Sequence, residues 1–196
     1  MSPKREPGAV TTATVLCADI VGSSEAPDVE RLLRSAATAS GAVSLQDRDG
    51  GLMAVFESVT AGLGAALVAE RELAGEERWA SGPVAVRAAL SVGDVTWHEE
   101  GVRGRPLAEA ARLAGMAESG QVLCADQVRG LAAFGDPDLP FGDLDEPRVH
   151  EFRWRDLHPA GDDPLPPWLD ERHPPGVVGR ETELAELRAE LSAAEA

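Results

Sequence analysis

Lysine is all but missing from this chain: of 196 residues only Lys4 carries a side-chain amine. Lys and Arg together number 18 against 34 Asp and Glu, a formal net charge of −16. A surface this negative repels nucleic acid and anionic lipid, which argues against direct DNA binding by this segment. The charge serves either solubility or an acidic docking surface. No uninterrupted apolar run approaches the ~18 residues of a membrane-spanning helix, and no long apolar stretch stands behind the first eight residues. Cysteine is scarce too. Cys17 and Cys124 each lie in an apolar run, so they read as reduced core residues of a cytoplasmic protein rather than a disulfide pair. What remains is an ordinary apolar fraction of 43%, enough for one cored domain and some additional chain.

The hydrophobic pattern divides that chain. Residues 1–11 read as a flexible arm. A short buried strand is predicted at 13–18, and a helix with acidic first turn at 27–39. Strands at 42–46 and 52–56 flank Asp47-Arg-Asp-Gly-Gly51, strong hairpin chemistry because Asp-Gly and Gly-Gly supply positive φ at little cost. An amphipathic helix is predicted at 58–76, then a strand at 84–95 in which Val84, Val86, Ala88 and Leu90 alternate against Ala85, Arg87 and Ala89. After a polar turn at 99–105 come a helix at 106–117 with Pro106 in its first turn, a strand at 121–125, a short helix at 126–133 and a last strand at 148–154. Residues 158–176 hold six of the fourteen prolines and read as a linker. A final helix with a leucine stripe is predicted at 181–191. The order through residue 95 is β-α-β-β-α-β, the ferredoxin-like unit of an α+β fold, with an antiparallel sheet and helices packed on it.

The first strand carries the chemistry. Thr14-Val-Leu-Cys-Ala-Asp-Ile-Val-Gly-Ser-Ser24 runs an apolar strand into one aspartate and then into a turn. A lone carboxylate beside free backbone N–H groups is a plausible place for a divalent metal and a nucleotide phosphate. A carboxylate capping the following helix is the plainer reading of Asp19.

Three ordered segments, 15–24 (VLCADIVGSS), 49–56 (DGGLMAVF) and 86–120 (VRAALSVGDV…GRPLAEAARLAGMAESG), resemble a class III adenylate/guanylate cyclase homology domain over residues 12–157. The resemblance implies a head-to-tail homodimer. One chain holds two Mg²⁺ or Mn²⁺ ions on two aspartates, and the other brings an Asn, an Arg, a Lys and two base-selecting residues. Metal and cations would neutralise the charge that builds on the triphosphate as the 3′-hydroxyl attacks.

By that resemblance Asp19 is the first metal aspartate, and Ile20, Val21, Gly22, Ser23 and Ser24 form the phosphate turn. The second metal aspartate falls on Gly50, with Asp49 one place early and Asp47 nearby as displaced candidates. A one-residue shift in a strand turns a side chain to the opposite face. The plainer reading makes both aspartates turn residues. The Asn position is Ala108, which cannot donate, and losing one such donor costs on the order of 10²–10³ in rate. The Arg position is Arg112, kept as a remnant or as a surface ion-pair partner. Base selection falls near Gln46 and Gly101. No lysine precedes the last strand; Arg148 is the nearest cation, placed late.

The tail Val177-Val-Gly-Arg-Glu-Thr-Glu-Leu resembles the opening of a STAND or AAA-type P-loop ATPase, as in large LuxR-type transcriptional regulators of high-GC bacteria, whose DNA-binding part lies far downstream. The plainer alternative is a docking helix. Three functional readings follow, of which the first has most in its favour. The domain is a catalytically degenerate cyclase serving as a sensory or dimerisation module, a nucleotide-binding regulatory domain without turnover, or a weak metal-dependent cyclase using Asp19 with Asp49 or Asp47.

Overall fold

The computed structural model describes residues 6–21, 26–75 and 85–157. The linker and helix expected within 158–196, and Gly22, Ser23 and Ser24 of the expected phosphate turn, lie outside the described residues. The elements run β1 (Val10–Val21), α1 (Ala26–Ala39), β2 (Ser44–Arg48), β3 (Gly51–Phe56), α2 (Val59–Gly75), β4 (Ala85–His98), β5 (Gly101–Arg103), α3 (Arg105–Met116), β6 (Val122–Ala125), α4 (Asp126–Gly135), β7 (Phe141–Asp143) and β8 (Val149–Phe152), with a 3₁₀ turn at Trp154–Asp156. One eight-stranded sheet has the order β2-β3-β1-β4-β6-β8-β7, with β5 paired to β4. Every pairing is antiparallel except β4 with β6. No described helix is long and apolar enough to cross a membrane.

The register sorts the side chains by face, because residues directly opposite in an antiparallel pair point the same way. Thr14, Phe56 and Leu90 share the face that α2 covers; a Cβ on Gly62 of α2 would touch all three. Helix α1 packs beside α2, and α2 beside α4. The other face carries Val15, Cys17 and Asp19 of β1, Arg87, Ala89, Ser91 and Gly93 of β4, and Gln46 and Arg48 of β2. Helix α3 lies on this second face, with Pro106 against Gly93 and Glu109 bonded to Ser91. The helices are therefore not confined to one side. With helices on both faces, β3 is buried along its whole length and Val15, Cys17 and Leu90 are fully enclosed.

The structure also extends several expected elements. The N-terminal arm is not free up to residue 11: Gly8 donates to the Trp97 carbonyl (2.8 Å), Trp97 donates back to Ala9 (2.9 Å), and β1 begins at Val10. At its other end β1 continues to Val21, paired with Ala85. The strand expected at 148–154 closes at Phe152 and turns into 3₁₀. Of two three-residue strands, β5 falls in the expected polar turn and β7 in a stretch to which the sequence assigns no element.

Candidate functional site

Asp19 sits where β1 crosses between β3 and β4, opposite Gly51 on one side and Arg87 on the other. Backbones approach closely here. A Cβ on Gly51 would stand 2.2 Å from the Ala18 carbonyl, so only glycine fits. The Asp19 side chain is 16% exposed and has two cationic neighbours. Arg87 Nη2 donates to Oδ2 at 3.4 Å, and Arg48 Nη2 stands 4.0 Å from Oδ1. Arg48 also donates to Cys17 Sγ at 2.6 Å. Burial pushes the Cys17 thiol up to about 12, against the opposing pull of Arg48, with Asp19 raising it further. Cys17 is thus a neutral thiol at ordinary pH, and the cluster of one carboxylate and two guanidiniums carries a local charge of about +1.

The displaced candidates for a second metal carboxylate do not join this cluster. Asp47 lies opposite Leu52, on the face away from Asp19, and is ion-paired with Arg34 of α1. Asp49 is exposed in the turn, and Gly50 beside it takes φ 74°. The hairpin places Arg48, not an aspartate, on the Asp19 face. Ile20 and Val21 are strand residues, and the Ile20 N–H is committed to the Gly50 carbonyl (2.8 Å), so it does not face an anion. Among the described residues no group of three or more His, Cys, Asp or Glu side chains is arranged to hold a metal ion. A divalent ion needs several oxygen ligands and gains nothing from adjacent guanidiniums. The described donor set does not fit Mg²⁺ or Mn²⁺.

The positions expected to select a base do come together. Gln46 Nε2 donates to the Val102 carbonyl at 3.2 Å, and a Cβ on Gly101 would stand 3.2 Å from that same nitrogen. The glutamine amide is thereby turned onto the chain's own β5. Ala108 and Arg112 lie on the exposed side of α3, where among the described residues Arg112 reaches only Met116 Sδ, at 3.0 Å. Arg148 stands immediately before β8 at φ 64°, the one described non-glycine residue with positive φ.

Sequence reasoning passed over Arg48 and Arg87 as site residues. The alternation of 84–90 already put Arg87 on the face opposite Val86 and Ala88, but its pairing with Asp19 depends on a register between strands 68 residues apart. A second polar cluster was also missed. His150 of β8 has one ring nitrogen 3.0 Å from Asp126 and the other 3.0 Å from Asp143, which Arg129 also binds at 2.6 Å. The hydrogen bond from His150, then the charge of Arg129, holds the Asp143 carboxyl below its usual range.

No family model matches the chain, and no curated protein matches it. Solved structures do. An adenylate/guanylate cyclase/hydrolase from Silicibacter pomeroyi superposes with TM-score 0.61 at 22% identity, covering 74% of this chain and 97% of that one. The monomeric guanylyl cyclase domain of the RhoGC fusion protein from the aquatic fungus Blastocladiella emersonii gives 0.63 at 13% identity, covering 76% and 98%. The adenylyl cyclase CyaB from P. aeruginosa gives 0.62 at 14% identity, covering 74% and 95%. The fold is that of class III nucleotidyl cyclase domains.

Proposed function

We propose that this domain is a catalytically degenerate class III cyclase-like module, acting as a sensory or dimerisation unit of a signalling or transcriptional regulator. The carrying observation is the pair of arginines on Asp19. Two guanidiniums supply the charge of one divalent ion, and they leave a net positive site that opposes a metal. Ala108 and the missing lysine remove two further groups that transition-state stabilisation would need. A homodimer is the expected assembly. Similar solved domains include a dimeric guanylyl cyclase domain as well as monomeric ones, and the exposed side of α3 with Ala108, Arg112 and Met116 is a suitable contact surface. The Val177–Glu181 segment supports a place ahead of a P-loop ATPase, with any DNA-binding part elsewhere in the regulator.

The test is direct. Purified protein at high concentration is incubated with ATP or GTP and Mg²⁺ or Mn²⁺, and cyclic nucleotide is measured. None is expected. Turnover that disappears in Asp19→Ala overturns the proposal and restores the weak-cyclase reading. Ligand binding without turnover is kept as a second reading because of the cleft described next.

A further inference from the structure

The end of β4 remote from Asp19 carries a cleft between α3 and α4. Gly93 and Asp94 of β4, Arg105 and Glu109 of α3, Gln127 of α4 and Arg148 before β8 line a cavity of about 480 Å³. This is within the range of small-molecule sites. Arg87 and Asp94 are seven residues apart on one strand, so the cleft is roughly 20 Å from the Asp19 cluster.

Its polar groups are unevenly satisfied. Asp94 Oδ1 accepts from Thr12 at 2.7 Å, and Glu109 Oε2 accepts from Ser91 at 2.9 Å. Neither Arg105 nor Arg148 has a side-chain hydrogen bond or ion pair among the described residues. Both arginines are exposed, and with Asp94 and Glu109 they make the cleft close to neutral on a chain of net charge −16. Arg148 is also held in a left-handed conformation that costs a non-glycine residue about 1–2 kcal/mol, and its carbonyl is pinned by the Asp126 N–H at 3.0 Å. Helices α3 and α4 both begin at this cleft, and neither has a side-chain cap. Pro106 has no N–H and the Leu107 and Asp126 N–H groups are taken by the Gly104 and Arg148 carbonyls, so the two helices contribute their dipoles rather than free donors.

The geometry points to a metal-independent site for a small phosphorylated molecule that also bears hydroxyls. Arg105 and Arg148 take the phosphate by charge-assisted hydrogen bonds, and Gln127 adds an amide donor. Asp94 and Glu109 each keep carboxylate lone pairs for ligand hydroxyls. The two carboxylates disfavour a bare phosphate and favour a phosphate joined to a polyol. This deepens the reading of ligand binding without turnover, and it does not depend on Asp19.

Calorimetry in the presence of a chelator tests it, with ribose 5-phosphate, adenosine monophosphate, inorganic phosphate and ribose as separate probes. Ribose 5-phosphate binds in the expected result, inorganic phosphate binds more weakly, and ribose does not bind. Adenosine monophosphate binding more tightly than ribose 5-phosphate assigns the site to nucleotides; equal binding assigns it to sugar phosphates. Arg105→Gln and Arg148→Gly, the latter suited to the left-handed backbone, each weaken binding by about 10- to 100-fold. Asp19→Asn leaves it unchanged. Circular dichroism confirms that the variants fold. Absence of binding at millimolar probe, or binding that survives both arginine substitutions, overturns the assignment. Neither result bears on cyclase turnover, which the separate assay reads.

Discussion

At one end of β1 and β4 a single carboxylate, Asp19, is held by two guanidiniums. At the other end two carboxylates, Asp94 and Glu109, are held by hydroxyls, and two guanidiniums have no partner among the described residues. The same two strands thus finish in a closed electrostatic circuit and an open one. A closed circuit resists an added ion, because any newcomer must displace a charge already in place. An open one has charge to offer without displacing a partner. The difference teaches that in this domain an anionic ligand meets less competition at the Arg105 and Arg148 end than at Asp19.

The comparison can be broken most severely at Gly51. Gly51→Val drives a side chain into the Ala18 carbonyl and is expected to cost about 3 kcal/mol or more, or to abolish folding. A thermal melt close to that of the parent protein would show that the Asp19 end is looser than its register implies.

Next in size is a contrast with a carboxylate that has no clamp. Glu70 of α2 is 4% exposed and its Oε1 has no hydrogen-bond partner. Burial raises its carboxyl to about 7 from an ordinary 4.5, with Arg155 pulling the other way. A carboxyl raised in the folded state stabilises fully below its unfolded value, and that contribution is lost as pH rises through the folded one. Chemical denaturation should therefore show up to about 3 kcal/mol of stability lost between pH 4.5 and 8, a trend that Glu70→Gln flattens. A pH dependence identical in Glu70→Gln and the parent rejects the assignment.

Asp19→Asn should cost about 1–2 kcal/mol, discounted from a buried ion pair because both arginines are about one-third exposed. Arg105→Gln should fall within about 0.5 kcal/mol of the parent. Equal losses at the two ends would erase the distinction between closed and open. Smallest is Arg148→Gly, expected to stabilise by a few tenths of a kcal/mol, because the relief at φ 64° is largely offset by the backbone entropy of glycine. Destabilisation there would mean that the arginine has a stabilising contact in the free protein.

The sequence made much of the fold legible, because local chemistry and hydrophobic period agreed. The β-α-β-β-α-β order, the Asp49-Gly50 turn and the helix opening at Pro106 all follow from residues close together in the chain. Strands β5 and β7 escaped notice because three residues are too few to show alternation, and Gly101 and Gly104 read as turn. The site was less legible. Asp19 at a strand end was visible, but its neighbours were not, since Arg48 and Arg87 reach it across strands. The choice of Arg48 over Asp47 on that face depends on parity in one hairpin. Arg105 and Arg148 become neighbours only when α3 crosses to the second face.

Cys17 lies beneath the Arg48 guanidinium, and Cys124 is fully buried, its thiol also pushed up by burial. Maleimides and disulfide reagents attack thiolates they can reach, so the described domain offers them no ready target. A cysteine introduced at Phe134, which is 91% exposed on α4, would then be modified alone. The native thiols need not be removed, and the parent protein serves as a silent background for spin labels or fluorophores that report on association.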